Sequence, residues 1–131
     1  MSAPTSWWED LEGNKVERIR VRGSVTATAG TLPITVTLTM IVNGQEVGVT
    51  KTMTINQLNI PQAFDDMIYN PPPPDPTRFT DGQQVEFRIK VRGTASNQYG
   101  TDTAESNEIT VTLVARVPAP PDIEITITGP L

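Results

Sequence analysis

The stretch "ITVTLTMIVNGQEVGVTKTMTI", Ile34 to Ile55, limits the fold more than any other. Ile34, Val36, Leu38 and Met40 alternate with Thr35, Thr37 and Thr39, giving one apolar and one hydroxylated face. Period two belongs to a half-buried strand, not to a helix. Asn43-Gly44 then supplies a turn, because a type I′ hairpin needs positive φ at both central residues and these two tolerate it best. The returning run places Val47, Val49, Met53 and Ile55 inward.

The same pattern recurs along the chain. "QQVEFRIKVRG" places Val85, Phe87, Ile89 and Val91 inward, and "SNEITVTLVARV" does so with Ile109, Val111 and Leu113. Near the start, "KVERIRVRGSVTATAG" carries Val16, Ile19, Val21 and Val25. Val16 is out of register with Ile19 and Val21, which predicts a bulge or a late start near Glu17. Beyond the prolines 118, 120 and 121, "DIEITITGPL" predicts one more strand through Ile123, Ile125 and Ile127. Threonine, valine and isoleucine suit pleated, half-buried strands. The expected class is all-β, an antiparallel sandwich with extended N- and C-terminal arms.

Three stretches break the alternation. "SWWEDLEG" has Ser6 and Glu9 at capping-box spacing, Trp7 and Leu11 on one helical face, and Gly13 as a stop, which predicts a short helix. Residues 59–81 form a long connection containing Tyr69 and the proline run Pro71, Pro72, Pro73 and Pro74, expected to be a stiff polyproline rod. "TASNQYGTDTAE" reads as a polar loop. The expected organisation is an arm over 1–14, a sandwich over 15–117 and a spacer with a terminal strand over 118–131.

Charge and side-chain chemistry narrow the function. The 131 residues include 10 Lys and Arg against 15 Asp and Glu, a net charge of −5. That balance argues against a general nucleic-acid binder, which needs a net basic face. Histidine and cysteine are absent. Their absence removes the commonest general base, thiol nucleophiles, disulfides and the usual zinc ligands. Asp65, Asp66 and Asp75 match no calcium-loop spacing, and nothing specifies the paired carboxylates of a glycoside hydrolase. No apolar run nears the roughly 20 residues of a membrane span, and the N-terminus lacks a secretory pattern. We therefore expect no enzyme activity, cofactor, metal site, nucleic-acid partner or membrane insertion.

Six of the ten cations lie in "RIRVRG" and "RIKVRG", as Arg18, Arg20, Arg22, Arg88, Lys90 and Arg92. Alternation turns each set outward from a strand. A sandwich would put the two rows on opposite outer faces, either as solvated surface or as docking rows for an acidic partner. Trp7, Trp8, Leu11, Tyr69, Pro71 to Pro74 and Ile123, Ile125 and Ile127 are the other candidate interface residues. Tryptophan is enriched at interfaces, and an isolated strand must find an edge to pair with.

From Asp81 to Val114 the chain resembles the second half of a fibronectin type III or related immunoglobulin-like domain. The resemblance rests on "DGQQVEFRIKVRG", "NQYG" and "SNEITVTL", with "TMTINQL" leading in. The chain departs from that family in lacking a core tryptophan in "ITVTLTMIV" and in its long connection after Leu58. Small sandwiches of this kind resemble accessory proteins of tailed-phage virions that decorate capsids or tails. The expectation is a structural protein made in the host cytoplasm and carried in the virion. Its arms and long loop would bridge neighbouring capsid or tail subunits. Two alternatives are an adhesion module that binds a glycan or receptor through its loops, and a filament subunit that donates its C-terminal strand.

Overall fold

The computed structural model describes residues 5–118 and 121–130. Nine strands follow one another among the described residues: β1 (Trp7–Glu9), β2 (Lys15–Val16), β3 (Ile19–Val25), β4 (Ile34–Val42), β5 (Gln45–Ile55), β6 (Gln62–Tyr69), β7 (Gln84–Asn97), β8 (Gly100–Glu105) and β9 (Ile109–Arg116). All pairings are antiparallel. Seven strands form one sheet in the order β2-β1-β9-β7-β4-β5, with β8 also on β7, while β3 and β6 form a second sheet. The two apolar faces pack into an antiparallel β-sandwich.

The core follows the alternation. Ile34, Val36, Leu38 and Met40 from β4 are buried with Met53 and Ile55 from β5, Phe87, Ile89 and Val91 from β7, and Leu113 from β9. Ile19, Val21, Phe64 and Met67 cover them from the second sheet. Asn43 and Gly44 both have positive φ, as the type I′ reading requires. The turn is tied to β7, with the Asn43 amide donating to Arg88 O at 2.8 Å and the Arg88 amide to Asn43 Oδ1 at 2.9 Å. The break expected near Glu17 is where the chain leaves the large sheet after β2 and enters the small one as β3.

Four expectations are corrected. Trp7–Glu9 is a strand rather than a helix, because it pairs with Val114–Arg116 of β9 and a helix this short gains little without docking. The long connection contains β6, which pairs with β3. Between Val21↔Met67 and Gly23↔Phe64 the partner strand advances by one extra residue, a bulge that hides the alternation. The polar loop is the β7–β8 hairpin. Residues 122–130 of the expected strand 122–131 are exposed and pair with no strand among the described residues, and Leu131 lies outside them.

β8 and β9 share one edge of β7. β8 pairs with Arg92–Asn97 and β9 with Gln84–Ile89. Ser106 bridges the break: its amide donates to Val91 O at 2.8 Å, and its Oγ accepts from the Val91 amide at 2.9 Å.

The bulge also explains Gly23. A Cβ built there would meet Phe64 Cζ at 3.0 Å. We predict that Gly23→Ala destabilises by about 1–3 kcal/mol through overpacking, and that Phe64→Leu in the same chain recovers part of this. Urea unfolding of the two variants and the double variant measures both.

Candidate functional site

The rims of the sandwich differ. On one side the small sheet closes onto the large one, with β6 beside β5 and Lys51 Nζ 2.9 Å from Asp66 Oδ2. That contact holds the Asp66 carboxyl below its usual range, first through the lysine hydrogen bond.

One end is closed by aromatic packing. Trp8, expected at an interface, is 4% exposed within its own chain. Its ring meets Phe79 and Phe87 edge-on, at centroid distances of 5.5 and 5.1 Å. Its indole N–H donates to Pro72 O at 2.8 Å. Pro74 is fully buried, Pro71 and Tyr69 are half-buried, and Pro72 and Pro73 are exposed. The proline rod thus packs on its own domain, and burial raises the Tyr69 hydroxyl pKa. Trp7 is half-buried and Leu11 exposed.

Glu9 locks this end. It accepts from the Trp7 indole at 2.8 Å and from Arg116 Nε at 3.1 Å. These two contacts, the indole first, hold its carboxyl below the usual range. Arg116 also reaches Asp81 at 3.6 Å, and the Val117 amide donates to Asp81 Oδ1 at 3.2 Å. The root of the C-terminal arm is thereby fixed.

The opposite rim is open. The unpaired edge of β3 and the segment after it stand apart from β8 and the start of β9, leaving a groove of about 710 Å³. Its floor is the inner face of the large sheet, including Leu38, Ile89 and Val91, and its walls include Val21, Val25, Ala27, Ala104 and Ile109. Ile109, expected inward, is 45% exposed for this reason. Asp102 marks the end of the apolar stretch, beside Ala95.

The basic rows do lie on opposite outer faces, in different sheets. On β7, Arg88 pairs with Glu86, Lys90 with Glu105, and Arg92 with both Glu46 and Glu105. Ile41 lies between Lys90 and Glu46 in register and is only 2% exposed, although it sits on the outer face. The Arg92–Glu46 pair crosses β4 beside it, so this row roofs an apolar residue with its aliphatic stems. On β3, Arg20 binds Asp65 through Asp65 O at 2.6 Å and Oδ2 at 3.1 Å. Arg18 and Arg22 have no ion-pair partner among the described residues.

The arm carries the most exposed apolar side chains: Ile123, Ile125 and Ile127 are 79%, 82% and 87% exposed. Asp65, Asp66 and Asp75 are engaged separately, by Arg20, Lys51 and the Thr77 turn. Among the described residues no group of three or more acidic side chains is placed to hold a metal ion. No protein-family model, curated protein or solved structure matches this chain.

The groove residues were invisible to sequence reasoning, which pairs apolar faces but cannot count strands per sheet. The one trace was "GTDTAE", a strand with a single small apolar residue to turn inward.

Trp8→Ala should cost about 3–5 kcal/mol in thermal or urea unfolding, as expected for a buried tryptophan. Glu9 has a lower pKa folded than unfolded, so its stabilisation is present above the ordinary glutamate value of about 4.3. It is lost as pH falls through the depressed folded value. The stability gap between wild type and Glu9→Gln should therefore be widest near neutrality and close in acid, as urea midpoints across pH will report.

Proposed function

We propose that this chain is a non-enzymatic structural subunit of a large assembly, an accessory protein of a tailed-phage particle that decorates the capsid or tail. The observation that carries this reading is the arm, whose three alternating isoleucines face water on a segment with no partner strand among the described residues. Such a segment leaves backbone donors and acceptors unpaired and apolar area wet, and both are relieved by joining another chain. Prolines at 118, 120 and 121 in the sequence disfavour a ladder-paired hairpin return, because proline has no backbone N–H to donate. The sandwich is compatible with the immunoglobulin-like kinship suggested by Asp81–Val114, and in that setting the domain is a rigid body that presents the arm. Trp7 and Leu11 remain on the surface as secondary contacts. The prolines of the long loop serve mainly to close the domain's own end.

A second reading has its own support. Tyr99 is 77% exposed at the tip of the β7–β8 hairpin, where its amide donates to Asn97 Oδ1 at 2.8 Å. An exposed aromatic on a rigid hairpin suits an adhesion module that stacks on a sugar ring.

Deleting residues 118–131 should leave the melting temperature of the domain unchanged and remove the protein from purified particles. Retention of the truncated chain on particles would overturn the arm reading. Loss of glycan-array binding in Tyr99→Ser, with particle incorporation intact, would favour adhesion instead.

A further inference from the structure

The groove beside β3 and the isoleucine arm fit each other. We propose that the C-terminal arm of a second copy of this chain adds as a strand to the free edge of β3, seating Ile123, Ile125 and Ile127 in the groove. This deepens the reading of the arm as a joining element and rests on it.

Four observations converge. First, among the described residues the small sheet has only β3 and β6, and β3 pairs with β6 alone, so its other edge offers a row of amides and carbonyls without a strand partner there. A strand added there would lie along the groove and cover Ile109, which is 45% exposed, and the partly buried Val25 and Ala27, which is the geometry of β-augmentation. Second, the lengths match. Ile123–Ile127 is as long as Val21–Val25, the part of β3 that borders the groove. Third, the faces match. With the isoleucines turned to the floor, Asp122 and Glu124 face outward on the same side as Arg18, Arg20 and Arg22. Opposite charges on neighbouring strands stabilise the pair, and Arg18 and Arg22 are the two cations of the rows without an acid partner among the described residues.

Fourth, the arm's root is badly placed to serve its own groove. It is held at Val117 by Asp81, at the end of β9 remote from Ile109. Folding back along the outer edge of β9 would collide with β1, which already pairs with Val114–Arg116. The spacer carries prolines at the turn such a return would need. A neighbouring copy meets neither obstacle. Donation from copy to copy is head-to-tail, so repeated pairing yields a chain of subunits or a closed ring rather than a symmetric dimer.

The test uses full-length protein and reads self-association by light scattering after size-exclusion chromatography across a concentration series. Four exposed-site variants separate the parts. Ile123→Ser with Ile125→Ser and Ile127→Ser disables the arm. Ala104→Trp fills the groove, since Ala104 pairs with inward-facing Gly93 and is itself exposed. Arg18→Glu with Arg22→Glu, and separately Asp122→Lys with Glu124→Lys, reverse the charges on each side. Wild type should form multimers. The arm and groove variants should each need at least tenfold more protein to do so, with melting temperatures unchanged. Either charge reversal alone should weaken association, and mixing the two reversed proteins should restore it, because each then meets a complementary partner. Multimers lost in the arm variant but kept in Ala104→Trp and both charge variants would place the arm elsewhere and sink the groove assignment alone. Multimers kept in the arm variant would sink the arm reading. A wild type that is monomeric throughout would overturn donation between copies.

Discussion

The molecule is organised by an unequal match: a sheet of seven strands covered by a sheet of two. An apolar face must be covered by something, and β3 and β6 are too narrow to cover all of it. Each closing device addresses one part of that deficit. Lys51 and Asp66 draw β6 against β5 on one rim. Trp8, the proline rod and Phe79 close one end. The remaining rim, between β3 and the β8–β9 junction, has no device of its own, and there the groove lies. Gly23 belongs to the same constraint, because the bulge that swings Phe64 across the small sheet uses the space a side chain would fill.

The two similar hexapeptides therefore do different work. Their shared pattern comes from burying every second residue, but their surroundings diverge. The β7 row is enclosed by acids and lies over Ile41, so its charge is used within the domain. The β3 row borders the open rim and is only partly neutralised. Identical spacing gave no hint of this difference, because it depends on which strand happens to lie at an edge.

The sandwich was legible where strands alternate without interruption. Ile34 to Ile55 read correctly down to the Asn43-Gly44 turn, and Phe87, Ile89, Val91 and Leu113 fell inside as expected. Reading failed where a local pattern was overruled or disguised. Glu9 sits at capping-box spacing from Ser6, but its carboxylate is engaged by Trp7 on its own strand and by Arg116 across the fold. Phe64 and Met67 are three apart because of the bulge at Asp65 and Asp66, so β6 lost its period. β8 has almost no apolar residue to alternate and is held by its ladder with β7. Of the candidate site, the isoleucine arm was visible in the sequence. The groove was not, since it arises from a missing neighbour rather than from any residue.

The lock at the arm's root has a mechanical side. Val117 continues directly from β9, which lies inside the large sheet between β1 and β7. A force applied along the arm would run lengthwise down β9 and load its two ladders in shear, with the Arg116 bridges to Glu9 and Asp81 engaged at the same point. Bonds loaded side by side must give way together, whereas a strand peeled from an edge loses them one by one. A chain tethered through this end is thus anchored in the part of the domain best able to bear tension.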